Sequence, residues 1–217
     1  MEKKMIHWKD NFPVMADILT SSRYGKASLE KYRVDACDFR ARFYDHMDVG
    51  DEYMVLSVNG QLMMSDTPME RESNQKIIDM AYGDVLIGGL GLGMILFALQ
   101  QNPGVKSIRV IEQSADVIEL VGKQIAHLLD ISLPAIHIVQ GDVFDYPAAH
   151  PTERYDVIYM DIWPYYGQGM RDDMLKLQQA YTPLLKPDGW FGCWQEDIAF
   201  GAEYSMENES YYFGAMD

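Results

Sequence analysis

The apolar positions of this chain change their rhythm along its length. Over residues 34–65 they come in short strand-like pieces, "FRARFYD" at 39–45, "EYMVLSV" at 52–58 and "QLMMS" at 61–65. Asn59-Gly60 separates the last two. Both residues tolerate the positive φ that a two-residue turn demands, so the pattern predicts a hairpin within a small antiparallel sheet. Residues 1 to about 33 read as one or two short helical segments, broken at "SSRYGKAS". "SDTPMERESNQKIIDMAYG" then supplies a turn and a helix leading into the second half.

From there strands and helices alternate. Apolar runs predict strands at 84–88, 107–112, 136–140, 155–161 and 190–195, with helices at 93–101, 115–130 and 171–185. Such alternation implies a parallel sheet covered on both faces. Val117, Val121, Ile125 and Leu128 recur at helical spacing and predict one core-facing stripe. The expected fold class is α/β with a Rossmann-like, mostly parallel sheet, preceded by a small N-terminal β-hairpin region. The expected division is a helical and hairpin region over 1–75 and a nucleotide-binding unit over 76–217.

Composition narrows the functions. A chain of 217 residues with 48% hydrophobic side chains can bury a sizeable core. Its formal net charge is −15, from 33 acidic and 18 basic residues, which repels phosphate backbones and anionic membranes. Neither nucleic acid nor a membrane is expected as a partner. The start "MEKKMIHWKDNF" lacks the apolar segment of a secretory leader, and the expected compartment is the cytoplasm. Cys37 and Cys193 are far apart and the five histidines are scattered, so no metal site is expected.

Candidate chemistry sits at the strand ends, where doubly wound sheets bind ligands. The first predicted strand runs into "GGLGLG" at 88–93, four glycines in six positions. Glycine at a strand-to-helix turn permits positive φ and close approach of a ligand to the backbone. The second strand ends in Glu112, nineteen residues beyond Gly93, where a carboxylate can accept both hydrogen bonds of a ribose diol. The third ends just before Asp142 and the fourth at Asp161. A dinucleotide fingerprint requires glycine where Met94 stands, so NAD is not the expected ligand.

These features together resemble the Rossmann-like (class I) S-adenosylmethionine-dependent methyltransferases over about residues 76–197: the G-x-G-x-G loop, the acid closing the second strand, "GD" after the third, "YDVIYMD", and "LLKPDG" before the fifth. The resemblance implies S-adenosylmethionine or its decarboxylated form as cofactor. Gly89, Leu90, Gly91 and Gly93 would line its methionine and ribose part, Glu112 with Gln113 beside it the ribose hydroxyls, and Asp142 and Val143 the adenine. Asp161 would stand on the reaction side as the catalytic residue, orienting the donor amine or accepting the acceptor's proton. Trp163, Tyr165 and Tyr166 form an aromatic cluster suited to an acceptor platform.

The hairpin ahead of the core looks like the spermidine synthase branch, whose members transfer aminopropyl groups. Two departures separate this chain from that branch: Leu92 and Pro164 stand where it carries acids that hold an amine. Asp66, Glu70, Glu72 and Glu196 are other acids that could take over that role. The expected activity is methyl transfer to a small-molecule acceptor. The alternatives are an aminopropyltransferase with altered acceptor and a protein that binds the cofactor without turnover. Beyond Asp197 only a loop and one strand such as "SYYFGAM" are expected, which leaves three alternatives, a short sheet, a chain that has been cut, or a sheet completed by a partner; a homodimer is among the expected assemblies.

Overall fold

A computed structural model describes residues 12–38, 46–129, 135–167 and 169–201. Two sheets organise them. The first is antiparallel and runs in chain order: β1 (Ser22–Tyr24), β2 (Ala27–Arg33), β3 (Glu52–Val58) and β4 (Gln61–Ser65). Asn59 and Gly60 both take positive φ, 54° and 78°, as the hairpin requires. The strands β1 and β2 correct the helical reading of residues 1–33. "SSRYGKAS" is strand, turn and strand around Gly25 rather than a break between helices, and the only helix described here is the short α1 (Met15–Ile18). The cause is tertiary: β2 finds its partner in β3, from Ala27 opposite Val58 to Arg33 opposite Glu52, a pairing that no local signal announces. The predicted strand at 39–45 lies outside the described residues.

The second sheet comprises β5 (Gly83–Gly88), β6 (Val105–Glu112), β7 (Ala135–Gln140), β8 (Tyr155–Met160) and β9 (Leu185–Cys193), all parallel, in the order β7-β6-β5-β8-β9. This is the Rossmann-like α/β arrangement. Its strand order reverses between β5 and β8, which opens a crevice at their carboxyl ends. Val85, Leu86 and Ile87 in β5 and Val157, Ile158 and Tyr159 in β8 are buried on both faces, so the central strands read as unbroken apolar runs.

One helical segment departs instructively from its expected stripe. Residues 115–125 are helical, but Ile118–Gly122 form a π-turn that inserts an extra residue. Val117, Val121 and Ile125 face the core as predicted. The insertion then rotates the stripe by one position, so Leu129 is buried and Leu128 is 45% exposed.

Polar staples hold the small sheet to its own flanking helices and to the helical segment of the larger unit. Asp66, fully buried, accepts backbone N–H bonds from Met54 at 2.6 Å and from Met15 and Ala16 at 2.6 and 3.3 Å, and Arg71 lies 3.3 Å away. It ties β3, α1 and the segment after β4 to one point. On the other flank the backbone N–H groups of Lys26 and Thr20 bond Asp116 and Gln124 on the helical segment, at 2.9 and 2.8 Å. The small sheet is thereby held over the carboxyl ends of the large one.

Candidate ligand-binding cleft

The glycine turn between β5 and α2 (Met94–Gln100) is built from backbone constraints. Gly89, Gly91 and Gly93 have φ of 96°, 51° and 76°, a region that side chains rarely adopt. At Gly89 a side chain would also meet the Asp161 carbonyl, 2.1 Å from its Cβ position. Two strand ends thus approach so closely that only glycine fits between them. Gly93 caps α2, and Leu90 turns its side chain into the core while its N–H donates to Glu112 Oε2 at 2.9 Å.

Glu112 closes β6 and holds this loop in place. Its other oxygen accepts the Ser114 N–H at 2.8 Å. Burial raises its pKa, opposed by the N–H donors of Leu90, Ser114 and Gln113. These N–H groups leave the two oxygens with acceptor capacity for a ligand. Beyond β7, Asp142 accepts the Phe144 N–H at 2.9 Å and the Gln113 amide at 3.0 Å, linking the ends of β6 and β7.

Asp161 follows β8, its N–H bonded to the Gly88 carbonyl at 2.8 Å. It keeps access to the cleft, yet its carboxyl is walled by protein, and burial alone pushes its pKa up to about 7. That value poises it to change protonation near neutral pH.

These residues share one cleft of about 270 Å³. Gly89, Gly91, Glu112, Gln113, Asp142, Val143, Asp161 and Trp163 all line it. Leu90 and Gly93 do not line it; they border a small hollow behind the loop. Tyr165 and Tyr166 are not among its lining residues: Tyr165 is 52% exposed and Tyr166 packs against the core.

The roof of the cleft carries no local sequence signal. Leu56 and Val58 of β3 and Met63 and Met64 of β4 cover the cleft, and Glu70 joins its wall. Neighbours such as Met63 and Met64 normally point to opposite faces of a sheet. Here the register slips, with Leu56 opposite Met64 and Ser57 opposite Leu62, so Met63 is the extra residue of a bulge and both methionines reach the cleft. Of the other acids near an amine acceptor's expected place, Asp66 is consumed as a staple, Glu72 is exposed, and Glu196 bonds Lys76 and the Cys193 N–H. Leu92 is fully buried, so its position faces the core and not a ligand.

Among the described residues no cluster of side chains could hold a metal ion, and no helix is long and apolar enough to cross a membrane. Cys37 and Cys193 are both free.

No protein-family model matches the chain, and no curated protein is significantly similar to it. Solved structures are. Spermidine synthase from Thermotoga maritima is 18% identical, over 81% of this chain and 55% of that one, with a TM-score of 0.47. A spermidine synthase in complex with the transition-state analogue AdoDATO is 18% identical over 80% of this chain and 55% of that one, at 0.49. An S-adenosylmethionine-dependent methyltransferase from Clostridium acetobutylicum is 17% identical over 54% of this chain and 45% of that one, at 0.37. The chain spans about half the length of these structures.

Proposed function

We propose that this chain binds S-adenosylmethionine or a close thioether nucleoside and transfers its methyl group to a small-molecule acceptor. One observation carries the reading: the glycine loop, Glu112 and Asp142 line a single cleft at the switch point of a Rossmann-like sheet, in the order such a ligand needs. Glu112 would hold the ribose diol on its remaining acceptor sites. Val143 and Phe144 supply an apolar wall for a flat base, with Asp142 at its edge. A sulfonium donor supplies an activated carbon and leaves as a neutral thioether, so alignment in the cleft provides most of the rate. Asp161 would orient the acceptor or take its proton, a role that suits a carboxyl with a pKa near 7.

A second reading is favoured by Glu70. With Asp161 it makes two acids in a cleft also lined by Trp163, a combination suited to a cationic acceptor such as an amine. Aminopropyl transfer is therefore the alternative activity, and a binding protein without turnover the third. Calorimetric titration with S-adenosylmethionine, its decarboxylated form and methylthioadenosine tests the ligand class, and binding of none of them refutes it. Mass spectrometry of products formed with each donor and a panel of acceptors separates the three activities.

A further inference from the structure

The segment after β7, which supplies the wall for a flat base, is tied down along its length. At its start the Gly141 N–H donates to the Glu112 carbonyl at 3.0 Å, and at its end the N–H groups of Asp145 and Tyr146 donate to the Asp142 carbonyl at 3.2 and 3.0 Å. Its middle is held from another part of the chain. Tyr181, the last residue of α3 (Met170–Tyr181) and fully buried, donates its hydroxyl to the Val143 carbonyl at 2.8 Å. Burial raises the pKa of that phenol, and Tyr146 and Asp142 add to the effect, so it stays a protonated donor. The peptide unit between Val143 and Phe144 is thereby fixed at both ends, because the Phe144 N–H donates to Asp142 Oδ1 at 2.9 Å. Turning that unit to satisfy a carbonyl that had lost its donor would also break the bond that orients the Asp142 carboxylate.

We propose that Tyr181 is a positioning residue for base selection: it does not line the cleft, but it holds Val143 and Phe144 as a wall and Asp142 at the edge of the base. The inference rests on the adenosine-type ligand proposed above. A fixed carboxylate accepts the N–H of an exocyclic amine and repels a carbonyl oxygen in the same place. Discrimination between adenine and hypoxanthine therefore depends on how firmly the peptide unit between Val143 and Phe144 is held.

The test is calorimetry on the whole chain with methylthioadenosine and methylthioinosine, for wild type, Tyr181→Phe and a control, Tyr159→Phe. The control removes another buried hydroxyl, one bonded to Asn74 at 3.3 Å. Wild type is expected to prefer the adenine nucleoside at least about tenfold, the worth of one hydrogen bond to a charged group. Tyr181→Phe should cut that ratio at least about threefold, and Tyr159→Phe should leave it unchanged. A general loosening of the fold would lower both affinities together and leave the ratio as it was. A ratio that Tyr181→Phe does not change overturns the proposal, as does an equal fall in Tyr159→Phe or a wild type that does not distinguish the two bases. If Tyr181→Phe does not fold, exchange of the Tyr181 hydroxyl proton in wild type, read by NMR, decides. Methylthioadenosine should slow it at least about threefold more than methylthioinosine does, and equal slowing overturns the proposal. Failure of both nucleosides to bind wild type overturns the adenosine-type reading itself, and this proposal with it.

Discussion

Replacing Glu112 by alanine tests the ligand assignment most directly. In the free protein its carboxylate accepts the Leu90 N–H at 2.9 Å and the Ser114 N–H at 2.8 Å, so it holds the glycine loop to the end of β6. In the complex it would also accept the two ribose hydroxyls. Losing those charge-assisted bonds costs on the order of 1.5–3 kcal/mol of binding, or about 10- to 150-fold in Kd. The freed N–H groups border a wet cleft where water replaces the carboxylate, so the loss of stability should be smaller, roughly 1–2 kcal/mol.

Separating these effects needs two measurements and a second variant. Urea unfolding gives the stability loss, and calorimetry with methylthioadenosine under conditions where the variant is folded gives the binding loss. Glu112→Gln keeps one carbonyl oxygen and should fall between wild type and Glu112→Ala in affinity. Unchanged affinity in a folded Glu112→Ala protein would refute the ribose assignment. A stability loss that accounts for the whole binding loss would leave Glu112 as a loop support only.

Asp161 should make stability depend on pH. Burial raises its folded pKa from 3.8 to about 7, so the folded state holds a proton that the unfolded chain releases, and stability falls as pH rises through that window. Asp161→Asn should therefore gain relative to wild type between pH 4 and about 7 in urea unfolding, and a pH-independent difference would contradict the burial argument. Asp66→Ala should cost roughly 3–5 kcal/mol of stability, because it strands three buried N–H donors and Arg71, and a shift in urea midpoint worth under about 1 kcal/mol would refute the staple. Leu92→Asp should destabilise the fold by burying a charge and should add no amine binding, whereas enhanced diamine binding by a stable variant would show that position 92 faces the ligand.

What could be read from the sequence divides along a physical line. The central strands β5 and β8 of the parallel sheet were legible because each is a short apolar run buried on both faces, and the Asn59-Gly60 hairpin because its signal is local. The position of the cleft followed from topology, since a doubly wound order sends the loops after β5, β6, β7 and β8 to one edge. The features that were not legible depend on contacts between distant segments. β2 owes its conformation to β3, and Leu128 lost its place to Leu129 through a π-turn within an otherwise regular helical pattern. The roof required knowing that Met63 is a bulge, which reverses the alternation of β4 beyond it. Position 92 shows the consequence for function. A loop residue matched by order alone suggests a ligand contact, but the positive φ values at Gly91 and Gly93 accompany a backbone path that sends Leu92 into the core and leaves its N–H to Met64. The glycines therefore determine which atoms of the loop face the cleft, and here those atoms are backbone.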